Sequence, residues 1–302
     1  MKFGIIEIGS TNTKGYIYDN GKLHNLGSKY IPFKDNYKGS GKILESDVRD
    51  LYRFIKSVKK TGIDIYAFGT SIFRNISNVE REDFRAKLEE DLKVNFRVVS
   101  PEEESTYTVK GVINNIDYKE KMAVVIGGGG STELAIVENQ EMIKKYNFDF
   151  GAMDITDRYP ELKADTVKTD FNEILEYTSN LIGNLDTFAD VLVLTGGDYI
   201  YYYEKADYKI DNNFLYKDSN QPYLLTFDTL NDYDLNMMEK SFDKIKSENP
   251  DNAGWWDGAR GMRFCMNAIA RKLKTKYIIP TRINMLIGIA DEINQTSDQN
   301  RT

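Results

Sequence analysis

Residues 124–134, VVIGGGGSTEL, place four consecutive glycines between an apolar run and a Ser-Thr-Glu triplet. The runs 122–126 (MAVVI) and 133–137 (ELAIV) are short and apolar, so the glycines predict a turn between two strands. Such a turn directs successive backbone N–H groups to one point, and no Cβ obstructs it. Ser and Thr hydroxyls add further donors. The stretch from Gly127 to Glu133 therefore predicts an anion site that suits phosphate.

The start of the chain repeats this arrangement. The apolar run 2–8 (KFGIIEI) leads into a Gly/Ser/Thr turn over Glu7 to Lys14, followed by a strand and an Asn20-Gly21 hairpin turn. The later copy has its own hairpin turn at Asn139-Gln140. Two copies about 120 residues apart favour duplicated domains that face one another. Two unrelated hairpins would give the same pattern, and this alternative stays open.

The remaining pattern alternates strands and helices, which is typical of an α/β protein. Apolar periodicity predicts a helix around 170–185, a strand over 190–194 and a final helix over 282–294. A third glycine turn, Thr195 to Asp198, follows the strand over 190–194. Residues 199–226 are rich in Tyr, Asp and Asn and show little periodicity, so we expect a surface insertion there.

Composition limits the function classes. A chain of 302 residues more often forms two domains than one, and a net charge of −7 argues against duplex nucleic acid as the main partner. No stretch approaches the about 20 apolar residues needed to span a bilayer, and the N-terminus lacks a signal-peptide pattern. We therefore expect a cytoplasmic protein without a membrane partner.

Residue counts and loop spacing exclude several catalytic classes. The single cysteine, Cys265, and the single histidine, His24, exclude a Cys/His zinc cluster and an internal disulfide. The glycine turns do not fit a Walker loop, because Ser10 and Lys14 have the wrong spacing. They also fit the dinucleotide fingerprint poorly, because a strand and not a helix follows the four glycines.

Phosphoryl transfer also needs carboxylates and a cation. Candidate carboxylates are Glu7 before the first turn, Glu133 after the second, and the run Glu102 to Glu104. A glutamate run at a helix start often only complements the helix dipole. Arg74, just past a strand end, could clamp phosphate with both guanidinium nitrogens, although a surface salt bridge is the common use of a single arginine.

Four segments in order resemble the exopolyphosphatase/guanosine pentaphosphate phosphatase family of the actin-like ATPase superfamily. IGSTNTK (8–14) resembles the first phosphate loop L-G-S-N-S-x-R, and GTSIFRNISN (69–78) resembles T-S-A-x-R-x-A-x-N. VSPEEESTYTVKGV (99–112) resembles S-G-x-E-E-A-R-L-x-x-x-G-V. VVIGGGGSTEL resembles V-I-D-I-G-G-G-S-T-E-L.

The resemblance implies a role for each matching residue. The glutamate that orients or deprotonates the attacking water falls on Glu104, and the phosphate-clamping arginine falls on Arg74. Glu7 and Glu133 complete the catalytic set and would hold Mg²⁺ or another divalent cation, directly or through water. The implied phosphate-binding residues, besides Arg74, are Gly9, Ser10, Thr11, Asn12, Thr13, Lys14, Gly128, Gly129, Gly130, Ser131 and Thr132.

The chain departs from the family pattern in both loops. Glu7 stands where the family has aspartate, which keeps the charge and lengthens the side chain by one methylene. Ile126 replaces the aspartate of the second loop, and an isoleucine cannot coordinate Mg²⁺. Gly127 stands where the family has isoleucine, and Thr11 where it has asparagine.

The resemblance also implies the architecture, which is two RNase H-like domains with a cleft between them. We predict domain I over 1–118, with helix 282–294 packing back on it, and domain II over 119–281 with the insertion near 199–226. We predict a disordered tail over 295–302. From the length we expect the two-domain core without the C-terminal helical domains that extend the polyphosphate channel in the longer members of the family.

The predicted activity is hydrolysis of a terminal phosphoanhydride bond in the cleft, with polyphosphate or a guanosine penta/tetraphosphate-type nucleotide as substrate. Two alternatives stay open. The first is a non-catalytic sensor that binds the same anion but has lost chemistry with Ile126. The second is an actin-like kinase or ATPase. The Tyr-rich stretch 199–223 would suit a dimer surface or a lid, so a homodimer is also left open.

Overall fold

The structure, a computed structural model, describes residues 2–10, 12–59, 62–196, 199, 203–204, 224–247 and 256–299. The chain divides into two compact units. The first contains Met1–Tyr107 together with Met285–Thr302, and the second contains Thr108–Asn284. Among the described residues, no helix is long and apolar enough to cross a membrane.

The first unit is built on a five-stranded mixed sheet of order β3-β2-β1-β4-β5. Strands β1, β2 and β3 form an antiparallel meander, while β4 and β5 continue the sheet parallel to β1. The strands are β1 Lys2–Ile8, β2 Asn12–Asp19, β3 Lys22–Tyr30, β4 Ile65–Gly69 and β5 Asn95–Val98. The helices are α1 Phe33–Ser40, α2 Glu45–Lys59, α3 Ile72–Asn75, α4 Asn78–Leu92 and α5 Pro101–Asn115, which continues into the second unit.

The second unit has a six-stranded sheet of order β10-β11-β9-β6-β7-β8. Its strands are β6 Met122–Gly127, β7 Thr132–Glu138, β8 Glu141–Phe148, β9 Val191–Leu194, β10 Leu225–Thr226 and β11 Tyr277–Pro280. Its helices are α6 Ala152–Arg158, α7 Phe171–Ile182, α8 Phe227–Glu239, α9 Phe242–Ser247 and α10 Ala259–Leu273, with a 3-10 turn at Pro160–Lys163. Helix α10 is buried along most of its length. The last helix, α11 Met285–Gln299, belongs to the first unit.

The two sheets share one strand order, because β8-β7-β6-β9-β11 repeats β3-β2-β1-β4-β5 with the same strand directions. The hairpins agree as well, since Asn20 and Asn139 both adopt the positive φ that such tight turns require. This mixed order is that of RNase H-like domains. The predicted α/β fold with two RNase H-like domains is confirmed.

Strand alternation in β1 explains how the first sheet buries both faces. Ile6 and Ile8 point into a core formed with α2 and α4, whereas Phe3 and Ile5 point to the opposite face. On that opposite face, helix α11 packs through Leu286 and its neighbours. The strand ends lie outside these two cores, so polar side chains can be placed there without loss of core.

The boundaries differ from those predicted. The units divide between Tyr107 and Thr108 and not after residue 118, because α5 runs unbroken across the division and the charged connector only marks its end. Helix α11 extends to Gln299, past the predicted tail start at 295. Most of the predicted insertion at 199–226 lies outside the described residues, as do 300–302 of the tail.

Candidate functional site

The first loop joins β1 to β2 by a tight turn in which the Gly9 amide donates to the Asn12 carbonyl at 3.0 Å. A Cβ on Gly9 would lie 2.8 Å from the Asn12 oxygen, so this close approach requires glycine. The Ser10 carbonyl accepts from the Lys34 amide at 2.9 Å, which ties the loop to α1. Thr11 lies outside the described residues.

The second loop repeats that turn. The Gly128 amide donates to the Ser131 carbonyl at 2.9 Å, in the position that Gly9 and Asn12 occupy in the first loop. The Gly128 and Gly129 carbonyls accept from the amides of Ala152 and Met153 at 3.0 and 2.8 Å, at the start of α6. The loop is therefore held by its carbonyls. The N–H groups of Gly129, Gly130 and Ser131 have no partner in the part of the chain that the structure describes.

Buried hydroxyls mark both loops. Thr13 and Thr132 are fully buried, and each hydroxyl has no hydrogen-bond partner among the described residues. They occupy equivalent positions, because Thr13 pairs with Ile8 across its hairpin and Thr132 pairs with Gly127. The Ser10 hydroxyl is also buried without a partner there. An unsatisfied buried hydroxyl is costly, so three of them beside glycine turns favour a polar ligand.

Strand register shows what replaces the second-loop acid. Glu7 pairs across its hairpin with Lys14, and the equivalent pair in the second unit is Ile126 with Glu133. Ile126 thus occupies the position of Glu7 in the duplicated hairpin. The second unit keeps a carboxylate only on the other strand, where Glu133 accepts from the Ser131 hydroxyl at 3.2 Å.

Arg74 and Glu104 are 30 residues apart in sequence but form an ion pair in the first unit. Arg74 lies on the short helix α3, which follows β4 after Ser71, a residue with φ of 51°. Its Nε donates to the Val99 carbonyl at 2.7 Å, which fixes the guanidinium beside the start of α5. The Arg74 and Glu104 side chains are 23% and 37% exposed, so solvent and ligands can reach both.

The carboxyl of Glu7 belongs to the same charged cluster. Burial raises its pKa above the ordinary value, the Lys14 ammonium lowers it, and the Glu104 carboxylate raises it further. Glu7, Lys14, Arg74 and Glu104 therefore interact electrostatically within one unit. Such a cluster of opposite charges can hold an anion on its arginine and lysine and a cation on its carboxylates.

Two neighbouring glutamates at the start of α5 have different surroundings. Glu103 forms a capping box with Ser100: its Oε2 accepts from the Ser100 amide at 2.8 Å, and its own amide donates to the Ser100 hydroxyl at 3.1 Å. Glu104 contacts Arg74 instead. The spacing Ser100-x-x-Glu103 could have indicated the cap from sequence alone. The ion pair that Arg97 makes with Glu103 has no sequence signal.

The third glycine turn follows β9. The Thr195 hydroxyl donates to the Val125 carbonyl at 2.9 Å, and the Gly196 amide donates to the Ile283 carbonyl at 2.8 Å with φ of 101°. Gly197 and Asp198 lie outside the described residues. Thr195 thus links the end of β9 to β6, and Gly196 links the turn to the segment that follows β11.

The predicted site residues divide between the units. The first loop, Arg74 and Glu104 belong to the first unit, and Gly128 to Glu133 belong to the second. Among the described residues, no three His, Cys, Asp or Glu side chains form a cluster that could hold a metal ion.

Known proteins share this architecture. A Ppx/GppA phosphatase from Aquifex aeolicus is 17% identical, with a TM-score of 0.78 over 96% of this chain and 98% of that one. An exopolyphosphatase from Cytophaga hutchinsonii is 17% identical, with a TM-score of 0.70 over 97% of this chain and 98% of that one. At such identities the likeness shows the fold alone.

Sequence comparison is more specific. A bifunctional 3-dehydroquinate synthase/phosphatase of Fusobacterium nucleatum is 29% identical over 121 residues, which is 38% of this chain. The aligned part spans only 18% of that relative. Residues 38–189, half of the chain, match the sequence model described as the Ppx/GppA phosphatase family. That match includes Arg74, Glu104 and the second loop, and the chain therefore belongs to the Ppx/GppA phosphatase family.

Proposed function

We propose that this protein hydrolyses the terminal phosphoanhydride bond of polyphosphate or of a guanosine penta/tetraphosphate-type nucleotide. The observation that carries the proposal is the cluster of Glu7, Lys14, Arg74 and Glu104 beside a loop with unsatisfied buried hydroxyls. Positioned cations and hydroxyls suit the charge of a phosphoryl group, and a nearby carboxylate suits the attacking water. The family supports a phosphatase.

Each residue has a defined part in this proposal. The terminal phosphate enters the first loop, where Ser10 and Thr13 donate hydrogen bonds to its oxygens. The phosphate competes with Glu104 for the Arg74 guanidinium, which releases the Glu104 carboxylate. Glu104 then accepts a proton from a water that attacks the phosphorus in line. The bond between the phosphorus and the bridging oxygen breaks, and that oxygen leaves on the shortened chain.

The donor set fits Mg²⁺ only as a minimal site. Burial first, and the Glu104 carboxylate to a lesser extent, raise the pKa of Glu7, so a bound cation would take the place of the proton that burial favours on Glu7. Each unit offers one candidate carboxylate for a cation, and we propose Glu7 in the first unit and Glu133 in the second. When bound, Mg²⁺ would neutralise charge on the phosphate oxygens.

The direct test is phosphate release by purified protein from short and long polyphosphate, guanosine pentaphosphate and ATP, with and without Mg²⁺. Glu104→Gln keeps the shape but removes the proton acceptor, so we expect kcat to fall by about 10²-fold or more. Glu90→Gln, an exposed change on α4, is the matched control and should leave kcat unchanged. Unchanged release by Glu104→Gln would refute the mechanism.

A second function is favoured by one observation, which is that Ile126 occupies the register position of Glu7. A protein with this second loop could bind the anion as a sensor without turning it over. Binding of tripolyphosphate would then raise the melting temperature, and no phosphate would be released. Ile126→Asp restores a carboxylate at this position. We expect it to increase Mg²⁺-dependent release if the rest of the site is competent.

A further inference from the structure

Arg97, on the edge strand β5, is held by three neighbours in the first unit, Glu103, Tyr107 and Phe68. Its Nη1 donates to Glu103 Oε1 at 2.7 Å, and its Nη2 donates to the Tyr107 hydroxyl at 2.9 Å. The guanidinium carbon lies 5.4 Å from the ring centroid of Phe68 and 5.5 Å from that of Tyr107. The Tyr107 hydroxyl in turn donates to Glu292 Oε1 on α11 at 2.8 Å.

Stability alone is a poor explanation for this arrangement. The Arg97 and Glu103 side chains are 40% and 42% exposed, and pairs this exposed contribute about 0–1 kcal/mol. The pair nevertheless stays ionised, because the Ser100 amide and then Arg97 hold the pKa of Glu103 below its ordinary value. The network instead fixes the positions of three elements relative to one another, because it joins β5, α5 and α11 at one point.

The contacts of Arg97 fix the orientation of the first turn of α5. Glu103 and Tyr107 are four residues apart, so they lie on one face of the helix, and Arg97 grips both. Glu104 follows Glu103 by one residue, roughly 100° further around the helix axis, and contacts Arg74 there. A clamp on one face therefore fixes the rotation of the helix and the direction of the Glu104 side chain.

The required accuracy is high. A carboxylate about 6 Å from the helix axis moves by about 1 Å when the helix turns by about 10°. A displacement of about 1 Å can cost up to about 10²-fold in rate when the group must meet a reacting atom. Arg74 contacts the same turn only through Glu104 itself, whereas Glu102 is exposed and its carbonyl accepts from the Thr106 hydroxyl.

We infer that Arg97 is a positioning residue, which acts through Glu103 and Tyr107 to direct Glu104 toward the phosphate site. This inference rests on the proposed phosphatase function. The contacts of Arg97 are with Glu103, Tyr107 and Phe68, and none of these belongs to the first loop. Removal of Arg97 should therefore affect the use that the protein makes of Glu104 and leave anion binding by the first loop intact.

The test compares Arg97→Met with Arg97→Lys and with Arg53→Met, which removes an arginine from an exposed ion pair with Asp50 on α2. With short polyphosphate and Mg²⁺, we expect Arg97→Met to lower kcat about tenfold and to change KM less than about twofold. Arg97→Lys keeps a charge for Glu103 but not the fork, so its kcat should be intermediate. Arg53→Met should match the wild type.

A second measurement works even without turnover. Hydrogen exchange at the amides of Glu103 and Glu104 should be about tenfold faster in Arg97→Met than in the wild type and Arg53→Met. If Arg97→Met leaves kcat unchanged, so that any loss in kcat/KM comes from a higher KM alone, the inference is overturned. If the wild type releases no phosphate, the proposed function fails, and the exchange rates alone then decide whether Arg97 holds this turn. If Arg97→Met does not fold, Arg97→Lys carries both measurements.

Discussion

Gly151→Ala should displace the second loop from its support. A Cβ on Gly151 would lie 2.3 Å from the Gly128 carbonyl oxygen and 2.8 Å from the Gly129 carbonyl carbon and oxygen. These are backbone atoms, so no flexible side chain can move aside. The φ and ψ of Gly151, −146° and −160°, suit alanine, which means that the substitution adds a steric clash and no backbone strain.

The cost can be worked from these contacts. Overpacking of this kind costs about 1–3 kcal/mol. The loop would also weaken two hydrogen bonds, from Ala152 to Gly128 at 3.0 Å and from Met153 to Gly129 at 2.8 Å, each of which contributes about 1 kcal/mol. We therefore expect the free energy of unfolding to fall by about 3 kcal/mol. Tripolyphosphate affinity should fall as well, because the loop amides lose their alignment.

Urea unfolding and calorimetric titration with tripolyphosphate would measure both effects. Gly39→Ala is the matched control for both, because a Cβ there meets no atom within 4 Å and the residue is helical. Gly130→Ala, in the loop itself and equally open, controls for stability alone. If the unfolding free energy and the tripolyphosphate affinity of Gly151→Ala both match those of Gly39→Ala, Gly151 does not support the second loop.

Three further predictions concern buried groups. Arg263→Met should lower the unfolding free energy, measured by urea denaturation, by about 3–5 kcal/mol. Asp234 is fully buried and forms an ion pair with Arg263 at 2.5 Å, so the substitution leaves its carboxylate without an opposite charge. Glu7→Gln should raise the unfolding free energy at pH 7 more than at pH 4. The reason is that a carboxyl whose pKa is raised in the folded state destabilises the fold once the pH exceeds its pKa in the unfolded state. An equal increase in unfolding free energy at the two pH values would contradict this. The Cys265 thiol should resist a thiol reagent in the native state, because burial raises its pKa to about 12, and labelling should appear only in denaturant.

Local chemistry was readable from the sequence. Tight turns at Asn20 and Asn139 follow from the residues themselves, which tolerate positive φ, and the structure confirms both hairpins. The four glycines predicted a turn between β6 and β7, and that turn is present. None of Gly127 to Gly130 needs a positive φ, however. Close packing explains Gly127, where a Cβ would lie 2.7 Å from Met262 Sδ.

The order of elements, the duplication and the family could be predicted from the sequence, because they depend on residues that are neighbours in the chain. The ion pairs of Arg74 with Glu104 and of Arg97 with Glu103, and the division of the units inside α5, are visible only in the folded chain. Arg74 and Glu104 are distant in the chain, and Glu103 and Glu104 are neighbours on one helix that pair with different arginines. Apolar periodicity indicates which face of a helix packs on a sheet, but it does not indicate which residue of another element meets that helix, and only the folded chain decides this.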